Sequence, residues 1–144
     1  MFFTNHKSQK ALDIAENPNV AMTLFWKTLQ RVVRIEGEAE KLSEEESLPI
    51  FREKPRATQI RYLASPQSSL VPNREYLRER EANITAALAP NEPVPLPNWG
   101  GYIIIPSSIE FWQAQSDFVN DRIRFRRVEN AKEVSFYLKL LCLL

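Results

Sequence analysis

The sequence predicts a mainly β fold with inserted helices, a small antiparallel barrel carrying helical decoration. Three observations lead there. Apolar and polar residues alternate with the period of a strand near both ends of the chain, as in Val134, Phe136, Leu138 and Leu140 against Glu133, Ser135, Tyr137 and Lys139. Helix-start signatures interrupt the strands at Ser43-x-x-Glu46 and at Asn73. Four of the ten prolines fall between Pro90 and Pro97, an extended connector that no helix can cross.

Phe2-Phe3-Thr4 reads as the end of a strand. Ser8 to Glu16 is polar with Ala11, Leu12 and Ala15 on one side, which predicts a short helix. Asn17-Pro18-Asn19 is a turn. Val20 to Trp26 is apolar enough for a buried strand, Lys27 to Leu29 is a short connection, and Gln30 to Glu40 completes a hairpin. In that second strand Val33 and Ile35 are expected to face the core. Gln30, Val32, Arg34 and Glu36 are expected to face solvent or a ligand.

The capping box at Ser43 predicts a helix from about Glu44 to Glu53, although it contains Pro49. Arg56 to Ala64 suits another short helix. Pro66 to Pro72 is a loop bounded by prolines. Asn73 caps a longer helix from Arg74 to about Leu88, with Leu77, Ile84 and Leu88 on its apolar stripe. Gly101 to Pro106, Ile109 to Gln113, Asp121 to Arg127 and Glu133 to Leu140 are read as four further strands.

A chain of 144 residues can build one domain with a core and is too short for two, so residues 1–144 are expected to form a single domain. The net charge of +1 provides no global field for nucleic acid or a membrane, and neither partner is expected. An anion site would have to be local. The single cysteine, Cys142, allows no internal disulfide and fits a reducing, cytoplasmic setting. Met1-Phe2-Phe3 is followed at once by polar residues, unlike a secretory signal. The apolar run from Leu140 to Leu144 is too short to span a bilayer.

Three glycines, Gly37, Gly100 and Gly101, cannot supply a Walker loop or a Gly-x-Gly-x-x-Gly turn. One histidine and one cysteine cannot build a His/Cys zinc site, so no metal is expected. A Ser-His-Asp or Cys-His site would have to use His6, beside the chain start, and is not expected. No catalytic dyad can be named.

Two stretches carry chemistry. On a strand, Arg122, Arg124 and Arg126 point one way while Ile123 and Phe125 point to the core. Three like charges in a row need carboxylates or a bound anion. One reading is a solvated face partnered by Asp121, Glu110 or Glu129. The other is an anion pocket, since the guanidinium fork suits phosphate. Periodicity alone favours the first. In Glu110-Phe111-Trp112-Gln113 adjacent aromatic rings imply one inside and one outside, and the outward ring suits a planar ligand or a subunit interface.

Trp99-Gly100-Gly101-Tyr102, Ile109-Glu110-Phe111-Trp112-Gln113 and Asp121-Arg122-Ile123-x-Phe125-x-Arg127 resemble the C-terminal region of the pyridoxine/pyridoxamine 5'-phosphate oxidases. Phe2-Phe3-Thr4-Asn5, Asn17-Pro18, Leu29-x-Arg31-x-Val33, Glu36-Gly37, Pro55-Arg56, Gln59-Ile60 and Gln67-Ser68-Ser69 follow the order of that family, so the resemblance runs from Phe2 to Arg127. It implies an FMN-binding split β-barrel, a Greek-key-like antiparallel barrel that dimerises, with residues 99–127 in the dimerisation region. It also implies an oxidase of vitamin B6 salvage that forms pyridoxal 5'-phosphate with oxygen as acceptor. The cofactor would carry the chemistry, which fits the missing dyad.

Residue by residue, the resemblance makes Phe3, Thr4, Lys10, Gln67, Ser68, Trp112 and Arg122 FMN contacts. Lys54 and Thr58 fall where the family grips the substrate phosphate. The chain departs from the pattern at Gln9 and Val32, usually arginine and glutamine, and at Ile50, usually tyrosine. Phe118 and Asn120 replace an Arg-x-His pair around the substrate ring. The chain also starts at an element that a further strand precedes in the family, and its ending differs, so it is expected to be shortened. These departures keep open a non-catalytic or differently specific flavin-binding homologue. A binding module built on the arginine strand is a third alternative.

Overall fold

The computed structural model describes residues 1–116 and 119–128 and the backbone of residues 136–140. The elements run β1 (Phe2–Asn5), α1 (Gln9–Glu16), β2 (Asn19–Trp26), β3 (Arg31–Lys41), α2 (Glu44–Arg52), α3 (Arg56–Ala64), α4 (Arg74–Ala87), β4 (Trp99–Gln113), β5 (Asp121–Arg127) and β6 (Phe136–Leu140). They gather into two compact units, Met1–Asn17 with Glu40–Ile103, and Pro18–Ala39 with Ile104–Leu144. Among the described residues no helix is long and apolar enough to cross a membrane.

In the first unit β1 pairs antiparallel with the start of β4, Phe3 opposite Gly101 and Asn5 opposite Trp99. Phe51, Ile60, Val94 and Trp99 form the buried core, with Phe3, Ile50, Tyr62 and Ile84 packed on it. Trp99 is its hub: Phe3 stacks on it at 5.1 Å, Tyr62 at 5.3 Å, and Phe51 lies tilted at 5.7 Å. The proline connector is anchored rather than loose. Val94 is 1% exposed. Arg52 donates to the Val94 carbonyl at 2.9 Å, and Arg56 donates to the carbonyls of Ala89 and Glu92.

Helix α2 starts at the expected capping box. The Glu46 amide donates to the Ser43 hydroxyl at 3.1 Å, and the Ser43 amide donates to the Glu46 carboxylate at 2.8 Å. Ser43→Ala should therefore cost about 1 kcal/mol, read as a lower midpoint in thermal melts. The Ser43 amide, and secondly its hydroxyl, hold the Glu46 pKa below its ordinary value. A depressed carboxylate stabilises the fold fully above its unfolded pKa and loses that contribution as pH falls through the lower folded value. Melts of Glu46→Ala and the unaltered protein should converge at that acidic end. Asn73 caps α4 as expected, accepting from the Tyr76 amide at 2.9 Å, and Leu77, Ile84 and Leu88 are half-buried.

The second unit is a sheet ordered β2-β3-β4-β5-β6. β2 and β3 form the expected hairpin, with Val20 opposite Gly37 and Trp26 opposite Arg31. Gln30 belongs to the turn, at φ 51, and β3 begins one residue later. On β4 and β5, Ser108 faces Arg126, Glu110 faces Arg124 and Trp112 faces Arg122.

The structure corrects several expectations. Gly101–Pro106 and Ile109–Gln113 belong to one strand, β4. Pro106 does not break it, because it lies between the residues paired with β1 and those paired with β5, where its missing N–H removes no bond to either. β2 is not buried: Phe25 is 57% and Trp26 45% exposed, since β2 stands at the end of the strand order. Val33, Ile35, Ile123 and Phe125 are half-buried, not core. On α1, Ala11 and Ile14 turn inward while Leu12 and Ala15 are exposed, a spacing of three rather than four. The start of the strand expected from Glu133, and Phe118, Glu129 and Cys142, lie outside the described residues, as does the side-chain alternation of β6.

Candidate functional site

Each unit assembles one group of the residues singled out by sequence. In the first unit the group centres on Thr4, 4% exposed on β1. Its hydroxyl lies 3.1 Å from the hydroxyl of Ser8, accepts from Lys10 Nζ at 3.3 Å and donates to Gln67 Oε1 at 3.2 Å. Gln67 Oε1 also accepts from the Asn5 amide at 2.9 Å. A turn of one helix thus carries Ser8 and Lys10 to the strand, and a loop more than sixty residues away closes on it. Ser68, next in that loop, has φ 63, a left-handed conformation that strains a non-glycine residue by about 1–3 kcal/mol. The loop closes by a Ser69 amide bond to the Pro66 carbonyl at 3.0 Å. Phe3 takes the other face of β1 and stacks on Trp99.

Sequence reasoning missed Ser8. It precedes α1 as a cap residue should, yet makes no cap bond and directs its hydroxyl to Thr4. His6 stands apart from this chemistry, edge-on to Tyr102 at 5.7 Å. Burial, and secondly the Lys41 ammonium, lower its pKa.

Lys54 and Thr58 flank the joint between α2 and α3, both half-buried. The buried Gln59 side chain fixes that joint by donating to the carbonyls of Lys54 at 2.7 Å and Arg52 at 3.3 Å. Ile50 packs on the aromatic core instead of offering a polar group. Gln9 bonds Asp13 at 2.7 Å on the surface of α1.

In the second unit a cavity of about 550 Å3 is walled by Trp26, Val32, Val33, Phe111, Trp112 and Ile123, with Arg31, Gln113 and Asp121 as polar members. Gln113 ties its rim: its Oε1 accepts from Arg31 Nε, and its Nε2 donates to the Leu29 carbonyl at 3.4 Å. Trp26 and Arg31 escaped sequence reasoning because an apolar run and a hairpin position carry no signal for a cavity wall. Val32, expected to face solvent or a ligand, lines it. The Asn120 side-chain oxygen accepts from the Gln115 amide at 3.1 Å.

Arg122 stands opposite Trp112 on the neighbouring strand. Glu110, 8% exposed, meets both arginines: Arg124 donates to its Oε2 from Nε at 2.9 Å and from Nη2 at 2.5 Å, and Arg122 Nη1 lies 3.6 Å from its Oε1. The arginine row is therefore partly neutralised by one of the carboxylates expected to do so. Its hydrogen bonding is incomplete, because the buried Arg122 Nε has no partner. An aromatic ring beside an unsatisfied guanidinium suits a planar ligand with acceptor or anionic groups, and FMN is such a molecule. No group of three or more His, Cys, Asp and Glu able to hold a metal occurs among the described residues.

Comparison with known proteins gives these arrangements a context. Residues 1–85 match the family model described as pyridoxamine 5'-phosphate oxidase, and residues 99–138 match the pyridoxine 5'-phosphate oxidase C-terminal dimerisation region. The pyridoxine/pyridoxamine 5'-phosphate oxidase of Bombyx mori is 50% identical over 136 residues, 93% of this chain and 52% of that protein. The chain thus spans about half the length of that relative. PhzG from Burkholderia lata 383, solved in complex with tetrahydrophenazine-1-carboxylic acid, superposes with a TM-score of 0.86 at 27% identity over 98% of this chain and 67% of that one. A pyridoxamine 5'-phosphate oxidase-related, FMN binding protein from Nostoc punctiforme has a TM-score of 0.73 at 14% identity over 97% of this chain and 71% of that one, a likeness of fold alone. The fold is accordingly the split-barrel type with helices that these proteins share and that the resemblance implies.

Proposed function

The chain belongs to the pyridoxamine 5'-phosphate oxidase family, and from that premise we propose that it serves a flavin-dependent oxidase acting on pyridoxine or pyridoxamine 5'-phosphate to form pyridoxal 5'-phosphate. The observation that carries this reading is the pairing of Trp112 with Arg122, whose Nε is buried without a partner. Bound FMN would supply the redox chemistry, as hydride acceptor from the substrate with oxygen as final acceptor, and Arg122, Trp112, Thr4, Lys10 and Gln67 would hold it.

The residues of this chain bind and orient. Arg122 and Trp112 offer charge and a ring face. Thr4, Lys10 and Gln67 offer an interlocked set of polar groups, with Phe3 anchoring their strand and Ser68 held in a strained turn. Lys54 and Thr58 offer an ammonium and a hydroxyl to a substrate phosphate, on a joint stiffened by Gln59. The match of residues 99–138 to a dimerisation region supports a homodimer. Sedimentation of the purified protein at twice the chain mass is the expected result.

A second reading keeps flavin binding but changes or removes the substrate. Ile50, turned into the core, and Val32, on the cavity wall, favour it, since neither can hydrogen-bond. One experiment separates the two. The protein is reconstituted with FMN, freed of excess flavin and mixed with each B6 phosphate under air. A retained flavin spectrum with peroxide release supports the oxidase. Retained flavin without turnover supports the second reading, and no retained flavin defeats both.

A further inference from the structure

We propose that Glu110 is a positioning residue that sorts two neighbouring arginines, committing Arg124 to the sheet and holding Arg122 ready for a flavin acceptor group beside Trp112, a role that rests on the flavin reading above. Glu110 and Trp112 are two residues apart on β4 and share a face. Across the ladder they meet Arg124 and Arg122, which share the matching face of β5.

The two arginines are treated differently by the same carboxylate. Arg124 places two donors, Nε and Nη2, on Oε2 at 2.9 and 2.5 Å, a charge-assisted pair. Arg122 comes only to 3.6 Å of Oε1 through Nη1, within reach of Coulomb attraction but beyond a hydrogen bond. The Glu110 side chain is 10% exposed and those of Arg122 and Arg124 are 30% and 26% exposed, so solvent screens this cluster only partly.

One carboxylate facing two guanidinium groups leaves one positive charge in excess. The buried and unpartnered Nε locates the unmet donor on Arg122 rather than on Arg124. Arginines two apart on one strand face repel each other. Glu110 offsets that repulsion and keeps Arg122 beside Trp112 without taking up its hydrogen-bonding edge. Removal of the carboxylate's charge frees both arginines to swing apart.

The test is a double-mutant cycle on the full chain, with FMN affinity read by quenching of flavin fluorescence. Arg122→Ala and Glu110→Gln are each expected to weaken FMN binding by roughly tenfold or more, the scale of one charge-assisted hydrogen bond. In the Arg122→Ala background, Glu110→Gln is expected to add less than about twofold, because it acts through Arg122. An equal loss in both backgrounds marks a merely structural residue and overturns the proposal. Tighter binding by Glu110→Gln marks a competitor for Arg122 and also overturns it.

Should Glu110→Gln fail to fold, Glu110→Asp carries the test. It keeps the charge, and its affinity should stay within about threefold of the unaltered protein. A loss of about tenfold or more overturns the proposal. Absence of FMN binding by the unaltered protein would defeat the flavin reading and this role with it. A failed cycle on a protein that binds FMN defeats the role alone.

Discussion

Phe51→Ala is expected to lower the unfolding free energy by about 3–5 kcal/mol, the range for truncating a fully buried aromatic ring. Phe51 is 0% exposed and touches both Tyr62, at a ring distance of 6.5 Å, and Trp99, at 5.7 Å. Its loss would leave a hole against Trp99, the ring on which Phe3 also stacks. Partial collapse into that hole would shift Trp99 and so loosen β1, the strand that carries Thr4. Two readouts should therefore move together. The thermal midpoint should fall steeply, and FMN affinity should fall at temperatures where the variant is still folded. Phe51→Leu, which keeps most of the volume, should recover most of the stability, by the tolerance of cores for volume-conserving exchange. A Phe51→Ala melt within about 1 kcal/mol of the unaltered protein would show that the core closes over the hole.

The same core explains what could and could not be read beforehand. Helix starts were legible because their signals are local: Ser43 with Glu46, and Asn73 with the amide of Tyr76, satisfy groups three residues away. The continuity of β4 through Pro106 was not, because whether a missing N–H matters depends on which strand lies opposite. The exposure of β2 was hidden for a similar reason. An apolar run states that a segment can be buried, and only the strand order states that β2 has a neighbour in β3 and none beyond it in that order.

Candidate site residues divide along the same line. Residue types and their order pointed to Thr4, Lys10 and Gln67 through a resemblance. That Gln67 bonds both Thr4 and the Asn5 amide is a tertiary fact, fixed by a loop whose own sequence gives no target. Glu110 was foreseen only as one of three carboxylates, with Asp121 and Glu129, that could partner the arginines, and the pairing of β4 with β5 selects it. Its unequal treatment of Arg122 and Arg124 depends on register, and a slip by one residue would turn the carboxylate to the other face of the sheet.

Gly37→Val is expected to be the most damaging single change in the second unit. A Cβ at this position would fall on the Ile105 carbonyl oxygen and lie 2.9 Å from Pro106 Cα. Both are backbone atoms, so no side-chain rotation relieves the overlap, and β3 must separate from β4. Overpacking that a core can absorb costs about 1–3 kcal/mol. Displacement of a strand should exceed about 3 kcal/mol, a large part of the whole stability of a chain this size. Gly101→Ala provides the contrast. Its Cβ would meet Leu42 Cδ1 at 2.6 Å and Phe3 Cε1 at 2.8 Å, side-chain atoms rather than backbone, so the overlap falls on side chains that can shift without parting two strands. Gly101→Ala should therefore remain folded with a lowered melting midpoint, while Gly37→Val should yield little folded protein. The functional consequence follows from register. Gly37 lies on the strand that brings Val32 to the cavity wall, and Ile105 lies on the strand that brings Trp112 there. Parting these strands opens the cavity as well as the sheet. Gly37→Ala, the smallest step, places the same Cβ against the Ile105 carbonyl, so it too should melt lower, and a variant melting with the unaltered protein would show that β3 and β4 absorb the overlap. Because the overlap is with backbone, the loss of stability should already be present at alanine and grow with the two further methyl groups of valine.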